Sequence, residues 1–245
     1  MAETDKAPPN SAAKVERATL YVVSTPIGNL RDITLRAIDV LSAVDLVAAE
    51  DTRHSRKLFG EYGVRTPMIS FHDFNKERQA PKIIKELQSG KAVALISDAG
   101  TPGISDPGFY LIREAIRTGI RVQAIPGPTA LIPALILSGL PVHRFVFEGF
   151  PPPKKGRRRF FEALAGEERT IILYESPHRL QRTLADLLSA CGDRNVAIAR
   201  ELTKKFEEIL RGRLSELIKS VESRPLKGEI VLVVEGKQKK DKEKA

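Results

Sequence analysis

The chain has 245 residues and a mass of 27.1 kDa, which suits one large domain or two modest ones and excludes a long multi-domain assembly. Hydrophobic residues make up 42% and charged residues 29%, ordinary globular usage that excludes wholesale disorder. The formal charge of +9 is concentrated in residues 154–159 and the tail 237–245, a distribution that suits contact with a polyanion.

Taken in chain order, residues 1–18 read as a flexible arm, with mixed charges and Pro8 and Pro9 but without the apolar core of a signal peptide. Short β-branched runs at 20–23, 46–49, 92–96 and 122–125 predict strands, and 35–44, 78–88 and 109–117 predict helices between them. That alternation predicts an α/β fold with a largely parallel sheet. Gly90 and Gly119 fall just past two of the helices, while Asp106 and Pro107 suit an N-cap followed by proline in the first helical position. The apolar run 129–140 is broken by Pro133 and falls short of the roughly 20 residues a membrane span needs.

After a break at 139–141 the pattern restarts. Strands are expected at 145–148, 170–174, 195–200, 207–211 and 229–235, with a helix opened by Ser176 and Pro177 and running to Cys191, and another at 214–222. So many strands with so few helices predict a mixed sheet. The expected organisation is an N-terminal α/β domain at 19–140, a C-terminal α/β domain at 141–236 and a basic disordered tail at 237–245. A lone cysteine, Cys191, excludes an internal disulfide and points to a reducing compartment or to simple indifference to redox; it and the four histidines show no metal-ligand spacing, so no metal is expected.

Neither a Walker A sequence nor Gly-x-Gly-x-x-Gly follows a predicted strand, which lowers the ATPase and NAD readings. Three strand ends instead open into loops rich in Gly, Pro, Ser and Thr, at 24–29, 97–108 and 126–130. In a parallel sheet these share one edge, where main-chain groups can approach a small ligand; ordinary turn chemistry is the alternative for each loop taken singly. Glu50, Asp51 and His72 also lie just past strands, with Arg53 beside them. These four form a candidate acceptor-side constellation, although a helix cap or an ion pair with Arg53 would account for the acids equally well.

The ordered motifs TPIGNLRDITLRA (25–37), AAEDTRHS (48–55), SDAGTPGISDPG (97–108), IPGPTA (125–130), ESPHR (175–179) and RELTK (200–204) resemble the tetrapyrrole methylase superfamily. More narrowly they resemble its bacterial branch that methylates a ribose 2′-hydroxyl in 16S ribosomal RNA. The resemblance implies a two-domain class III methyltransferase fold, S-adenosylmethionine in the inter-domain cleft, a homodimer and a cytoplasmic location. It places the cofactor on Pro26, Ser97, Asp98, Ala99, Gly100, Ile104, Thr129, Ala130, Tyr174, Glu175, Leu202, Gly228 and Glu229, with a turn or helix cap as the other reading of Asp98. The target it implies is a cytidine of the decoding centre in the small subunit. Ser24-Thr25-Pro26-Ile27-Gly28 and Glu50-Asp51-Thr52-Arg53 depart from the corrin and porphyrin branch, and aromatic residues are only 6% with no tryptophan. Those departures weigh against the alternative of a tetrapyrrole acceptor, a protein side chain being the other alternative. RNA suits the basic residues Arg31, Arg53, Arg56, Lys154, Lys155, Arg157, Arg158, Arg159 and Arg179 as phosphate contacts.

Overall fold

A computed structural model describes residues 15–238 of the chain. The flexible arm expected at 1–18 and the disordered tail expected at 237–245 lie outside these residues except at their inner ends. At the inner end of the arm, Val15 packs against the core, the Glu16 N–H donates to the Tyr21 hydroxyl at 2.7 Å, and Arg17 pairs with Asp45 at 2.8 Å. Residues 15–18 therefore belong to the folded body.

The chain forms two compact units that divide between Thr129 and Ala130. In the first, β1 (Thr19–Val23), β2 (Leu46–Ala49), β3 (Met68–Ser70), β4 (Val93–Ile96) and β5 (Arg121–Ile125) make one sheet in the order β3-β2-β4-β1-β5, every pairing parallel. Helices α1 (Leu35–Ala43), α2 (Thr52–Tyr62), α3 (Lys76–Gln88) and α4 (Gly108–Arg117) connect them. A parallel sheet covered on both faces needs strands that are apolar at every position, and β1 and β4 are buried throughout. Tyr21, Val23, Val47, Ala94 and Ile96 pack with Leu41 of α1 and Phe59 of α2, while the alternate residues Leu20, Ala48, Val93 and Leu95 pack with Leu87 of α3 and Leu111 of α4.

The second unit holds α5 (Leu131–Ser138), β6 (Phe145–Phe147), α6 (Arg157–Leu164), β7 (Thr170–Glu175), α7 (Pro177–Cys191), β8 (Asn195–Arg200), β9 (Glu208–Arg213), α8 (Leu214–Ser223) and β10 (Ile230–Val234). Its sheet runs β6-β7-β10-β8-β9 and is mixed as expected: β6 and β7 are parallel, and the other neighbours are antiparallel. Phe161, Leu180, Leu184 and Leu217 of α6, α7 and α8 cover Ile171, Leu173, Ile198 and Leu232.

The sequence reading passed over four elements. In α2 the apolar signal is confined to Leu58 and Phe59, and β3 has only three residues. The apolar run containing Pro133 is α5, which packs on β8, β9 and β10 and so belongs with the second unit, ten residues before the expected boundary. Arg157, Arg158 and Arg159 of the basic run open α6, because Arg157, Phe161 and Leu164 recur at helical spacing on one buried face, while Lys154 and Lys155 precede the helix.

Candidate active site

Parallel pairing brings the carboxyl ends of the first unit's strands to one edge, where hydrogen bonds lace the three expected loops together. Thr25 and Gly100 exchange backbone bonds at 2.9 and 3.0 Å. The Ser24 and Thr101 hydroxyls lie 2.9 Å apart, and Thr101 Oγ1 donates to the Pro128 carbonyl at 3.1 Å. Two glycines permit this closeness. A Cβ on Gly127 would stand 2.9 Å from Ser24 Cβ, and one on Gly108 would stand 2.7 Å from Asp106 Oδ1. Pro26, Ser97 and Gly100 are buried at this edge, Asp98, Thr129 and Ala130 are half-buried, and Ala99 and Ile104 are exposed.

The acidic residues interlock across β2 and β4. Glu50 Oε2 accepts the Asp98 N–H at 3.3 Å, and Asp98 Oδ1 accepts the Asp51 N–H at 2.9 Å. Asp106 Oδ1 accepts from the N–H groups of Gly103 and Gly108 at 2.8 and 2.7 Å, so α4 starts at Gly108 with Pro107 as its N-cap, one residue later than the expected capping. Burial pushes the Glu50 carboxyl above the usual carboxylate range, and the negative charges of Asp98, Asp106 and Asp73 add to the rise. Burial also raises Asp106. Among the described residues, Glu50, Asp98 and Asp106 form no ion pair.

Asp51 behaves differently. Its Oδ1 caps α2 through the Arg53 N–H at 2.8 Å, and Arg53 Nη2 lies 3.2 Å from Oδ2, contacts that hold its carboxyl below the usual range. Cap and ion pair, the bland readings of the sequence, are thus what the Asp51 and Arg53 side chains form. His72 is half-buried: its N–H donates to Asn75 Oδ1 at 2.9 Å, its Nε2 lies 3.2 Å from Asn75 Nδ2, and its Nδ1 is buried without a hydrogen-bond partner.

The remaining cofactor candidates lie on the second unit. Tyr174 and Glu175 end β7, but Glu175 points inward: its side chain is fully buried, it pairs with Arg179 Nη2 at 2.7 Å, and it accepts from the Ser176 N–H and the Thr183 hydroxyl. Its carboxylate is engaged internally and is not free for a ligand. Leu202, Gly228 and Glu229 lie together because Glu201 and Glu229 share a backbone bond at 2.9 Å and Glu201 Oε1 accepts the Glu229 N–H at 3.0 Å. This turn is strained. Glu201 and Thr203 have φ of 50° and 67°, and a β-branched residue rarely adopts such values. The Thr203 hydroxyl oxygen is buried without a partner. Sequence reasoning quoted this segment but passed over Thr203, since backbone strain leaves no compositional mark.

The basic candidates divide. Arg31, Arg56, Lys154, Lys155, Arg158 and Arg159 are exposed, Arg158 pairing with Glu162 at 2.7 Å. Arg157 is the correction: its side chain is 4% exposed, and it donates to Asp186 at 2.7 Å, to Thr183 at 2.8 Å and to the Pro152 carbonyl at 3.1 Å. Buried beneath the basic run and stacked 4.9 Å from the Phe161 ring centre, it cannot reach a phosphate. Arg179 is also tied inward, to Glu175 and to the Pro151 carbonyl at 3.0 Å. No group of His, Cys, Asp and Glu among the described residues is arranged to hold a metal, and no described helix is long and apolar enough to cross a membrane.

Comparison with known proteins places this geometry in context. Residues 19–218 match the model of the Tetrapyrrole (Corrin/Porphyrin) Methylases. The chain is 52% identical over 224 residues to a protein named Ribosomal RNA small subunit methyltransferase I from Pseudomonas aeruginosa, covering 90% of this chain and 79% of that one. It is 48% identical over 219 residues to the protein of the same name from Thermotoga maritima, covering 89% and 99%. Among solved structures, a uroporphyrin-III-C-methyltransferase from Thermus thermophilus superposes with a TM-score of 0.64 at 22% identity, covering 89% of this chain and 94% of that one, a likeness of fold alone.

Proposed function

This chain belongs to the tetrapyrrole (corrin/porphyrin) methylase family, and from that premise we propose that it methylates the ribose 2′-hydroxyl of a cytidine in 16S ribosomal RNA, using S-adenosylmethionine. The observation that carries the reading is about 50% identity, over some nine-tenths of the chain, to proteins named small-subunit ribosomal RNA methyltransferases. The cytidine and the 2′-oxygen come from the narrower sequence resemblance. The test is transfer of labelled methyl from S-adenosylmethionine to undermethylated small ribosomal subunits, with free 16S RNA in parallel and nuclease mapping of the label. Label on a cytidine ribose is expected; label on a base or on protein would overturn the reading.

The residues present suit the cofactor. Asp98, a carboxylate in no ion pair at the first unit's loop edge, complements a sulfonium charge. Asp98 and the backbone of residues 97–100 would hold it on the first unit. S-adenosylmethionine supplies a methyl group already activated for nucleophilic attack. The chain's own tasks are to orient the 2′-hydroxyl, where positioning contributes roughly 7–11 kcal/mol, and to accept its proton. For the second task Glu50 is the best suited of the sequence candidates. Its raised pKa moves it toward working pH, whereas Arg53 makes Asp51 a weaker base.

Replacing Asp98 by Ala is expected to weaken S-adenosylmethionine affinity about 10- to 100-fold, the worth of one or two hydrogen bonds to a charged group. Asp98→Asn keeps an acceptor for the Asp51 N–H, so calorimetry on both variants separates the lost charge from the lost tie between β2 and β4.

Lys154, Lys155, Arg158 and Arg159 are proposed to contact RNA phosphates. Neutralising all four is expected to lower RNA affinity and to reduce the slope of log K against log salt by up to about 3, since each contact contributes about 0.7–0.9. An unchanged slope in filter binding would assign the run to solubility. We further propose a homodimer, supported by α5: it is apolar all round, yet it leaves Ile132 and Ile136 39% and 66% exposed. Sedimentation at working concentration checks that assembly.

A further inference from the structure

On the first unit, a cavity of about 350 Å³ opens between the residues that follow β3 and those that begin α4. That size sits at the small end of the range for ligand sites. Its walls are aromatic and cationic. The Arg113 guanidinium lies 5.5 Å from the Tyr110 ring centre and 5.9 Å from that of Phe109, and Lys76 Nζ lies 5.9 Å from Tyr110. Phe109 is 60% exposed, and Phe74, next to Asp73, is 99% exposed. Phe109, a lining ring that faces water beside charged groups, marks a surface made to stack against something flat.

The polar groups are equally specific. Asp106 spends Oδ1 on two backbone N–H groups, leaving Oδ2 for a ligand donor. Asp73 is held at 2.8 Å by Lys76 and is two-thirds exposed. Flat π surfaces flanked by carboxylate acceptors and cationic donors fit a nucleobase, which offers a planar face, an exocyclic amine and a ring carbonyl. The charges of Asp73 and Asp106 are felt by Glu50, so the cavity neighbours the proposed proton acceptor.

We propose that this cavity takes one unstacked, amine-bearing base of the RNA substrate, stacked on Phe109 and Arg113. Its amine donates to Asp106 or Asp73, and its carbonyl accepts from Arg113 or Lys76. The proposal rests on the RNA reading above and adds a base-binding subsite to it. Extraction of a base from its stack supplies what methylation of a ribose in folded RNA requires, a nucleotide turned out of its helix and held still.

The probe is the undermethylated small subunit, assayed for binding and for steady-state methyl transfer. Phe109→Ala is expected to raise KM for the subunit about tenfold, in the range found when one base-stacking aromatic is removed, with S-adenosylmethionine affinity unchanged. Phe109→Trp should restore it. Ile116→Ala, on the same helix and 62% exposed, should match wild type and so controls for damage to α4. Wild-type KM in Phe109→Ala, with wild-type protein active on subunits, would overturn this proposal alone. Wild-type protein that neither bound nor methylated the RNA would overturn the parent reading and this one with it.

Discussion

Glu50→Gln should slow methyl transfer by about 10²- to 10⁴-fold, the usual contribution of a positioned base, and at the same time make the free protein more stable at neutral pH. The two effects share one cause. Glu50 is held where ionisation is disfavoured, half-buried at the end of β2 with Asp98, Asp106 and Asp73 nearby, so its carboxyl titrates above the ordinary value of 4.5. A carboxyl with a raised folded-state pKa favours folding in acid, below the ordinary value. That contribution is lost as pH rises through the folded-state pKa, because the fold must then carry an unwelcome charge. Glutamine carries none and can still accept the Asp98 N–H through its amide oxygen. Thermal melts of the two proteins should coincide near about pH 4 and separate above the raised pKa, with the variant the more stable. Single-turnover transfer at neutral pH supplies the other half of the test. A variant that is active and less stable would make Glu50 a structural tie between β2 and β4.

Arg157→Met should lower the melting temperature by roughly 6–12 °C. Asp186 is 37% exposed, so the cost lies mainly in leaving the buried Thr183 hydroxyl and the Pro152 carbonyl without their donor, about 3 kcal/mol in all, and each kcal/mol moves the midpoint of a chain this size by about 2–4 °C. Arg157 joins α6 to α7 by way of Asp186 and Thr183, and Thr183 passes the connection on to Glu175 at the end of β7. Lysine should not rescue the loss, since one ammonium cannot reproduce a fork that reaches Asp186, Thr183 and the Pro152 carbonyl together. Differential scanning calorimetry of Met and Lys variants measures both points. Wild-type melting in Arg157→Met, joined to weakened RNA binding, would return Arg157 to the surface role first expected of it.

That residue shows where sequence alone falls short. Five arginines and lysines within six positions look like one solvated patch, and only the helical spacing of Arg157 with Phe161 and Leu164 separates the buried one from its neighbours. The parallel sheet was legible because its strands must be apolar on both faces, and the loops past them because Gly, Pro, Ser and Thr mark backbone without regular pairing. Helix α2 carries little sequence signal because its first six residues, TRHSRK, are polar and only two of its three buried residues, Leu58 and Phe59, are apolar. Within the site, Glu50, Asp98 and Asp51 could be named as strand-end acids, but not their division of labour. That division depends on which carboxyl finds an arginine and which does not, a matter of side-chain direction that a linear sequence does not record. The Thr203 strain and the base-sized cavity arise from distant segments meeting and have no local signature.

Strand β10, the last among the described residues, lies in the middle of the second sheet, paired on one side with β7 and on the other with β8. During synthesis the first unit has all five of its strands once residue 125 has emerged, and domains generally fold as they become complete. The second has no such option. Until residues 230–234 are in place, β7 and β8 each present an unpaired apolar edge. Closure is then a single late event, and a nascent chain stalled before residue 230 would carry one finished unit and one sticky, half-built one.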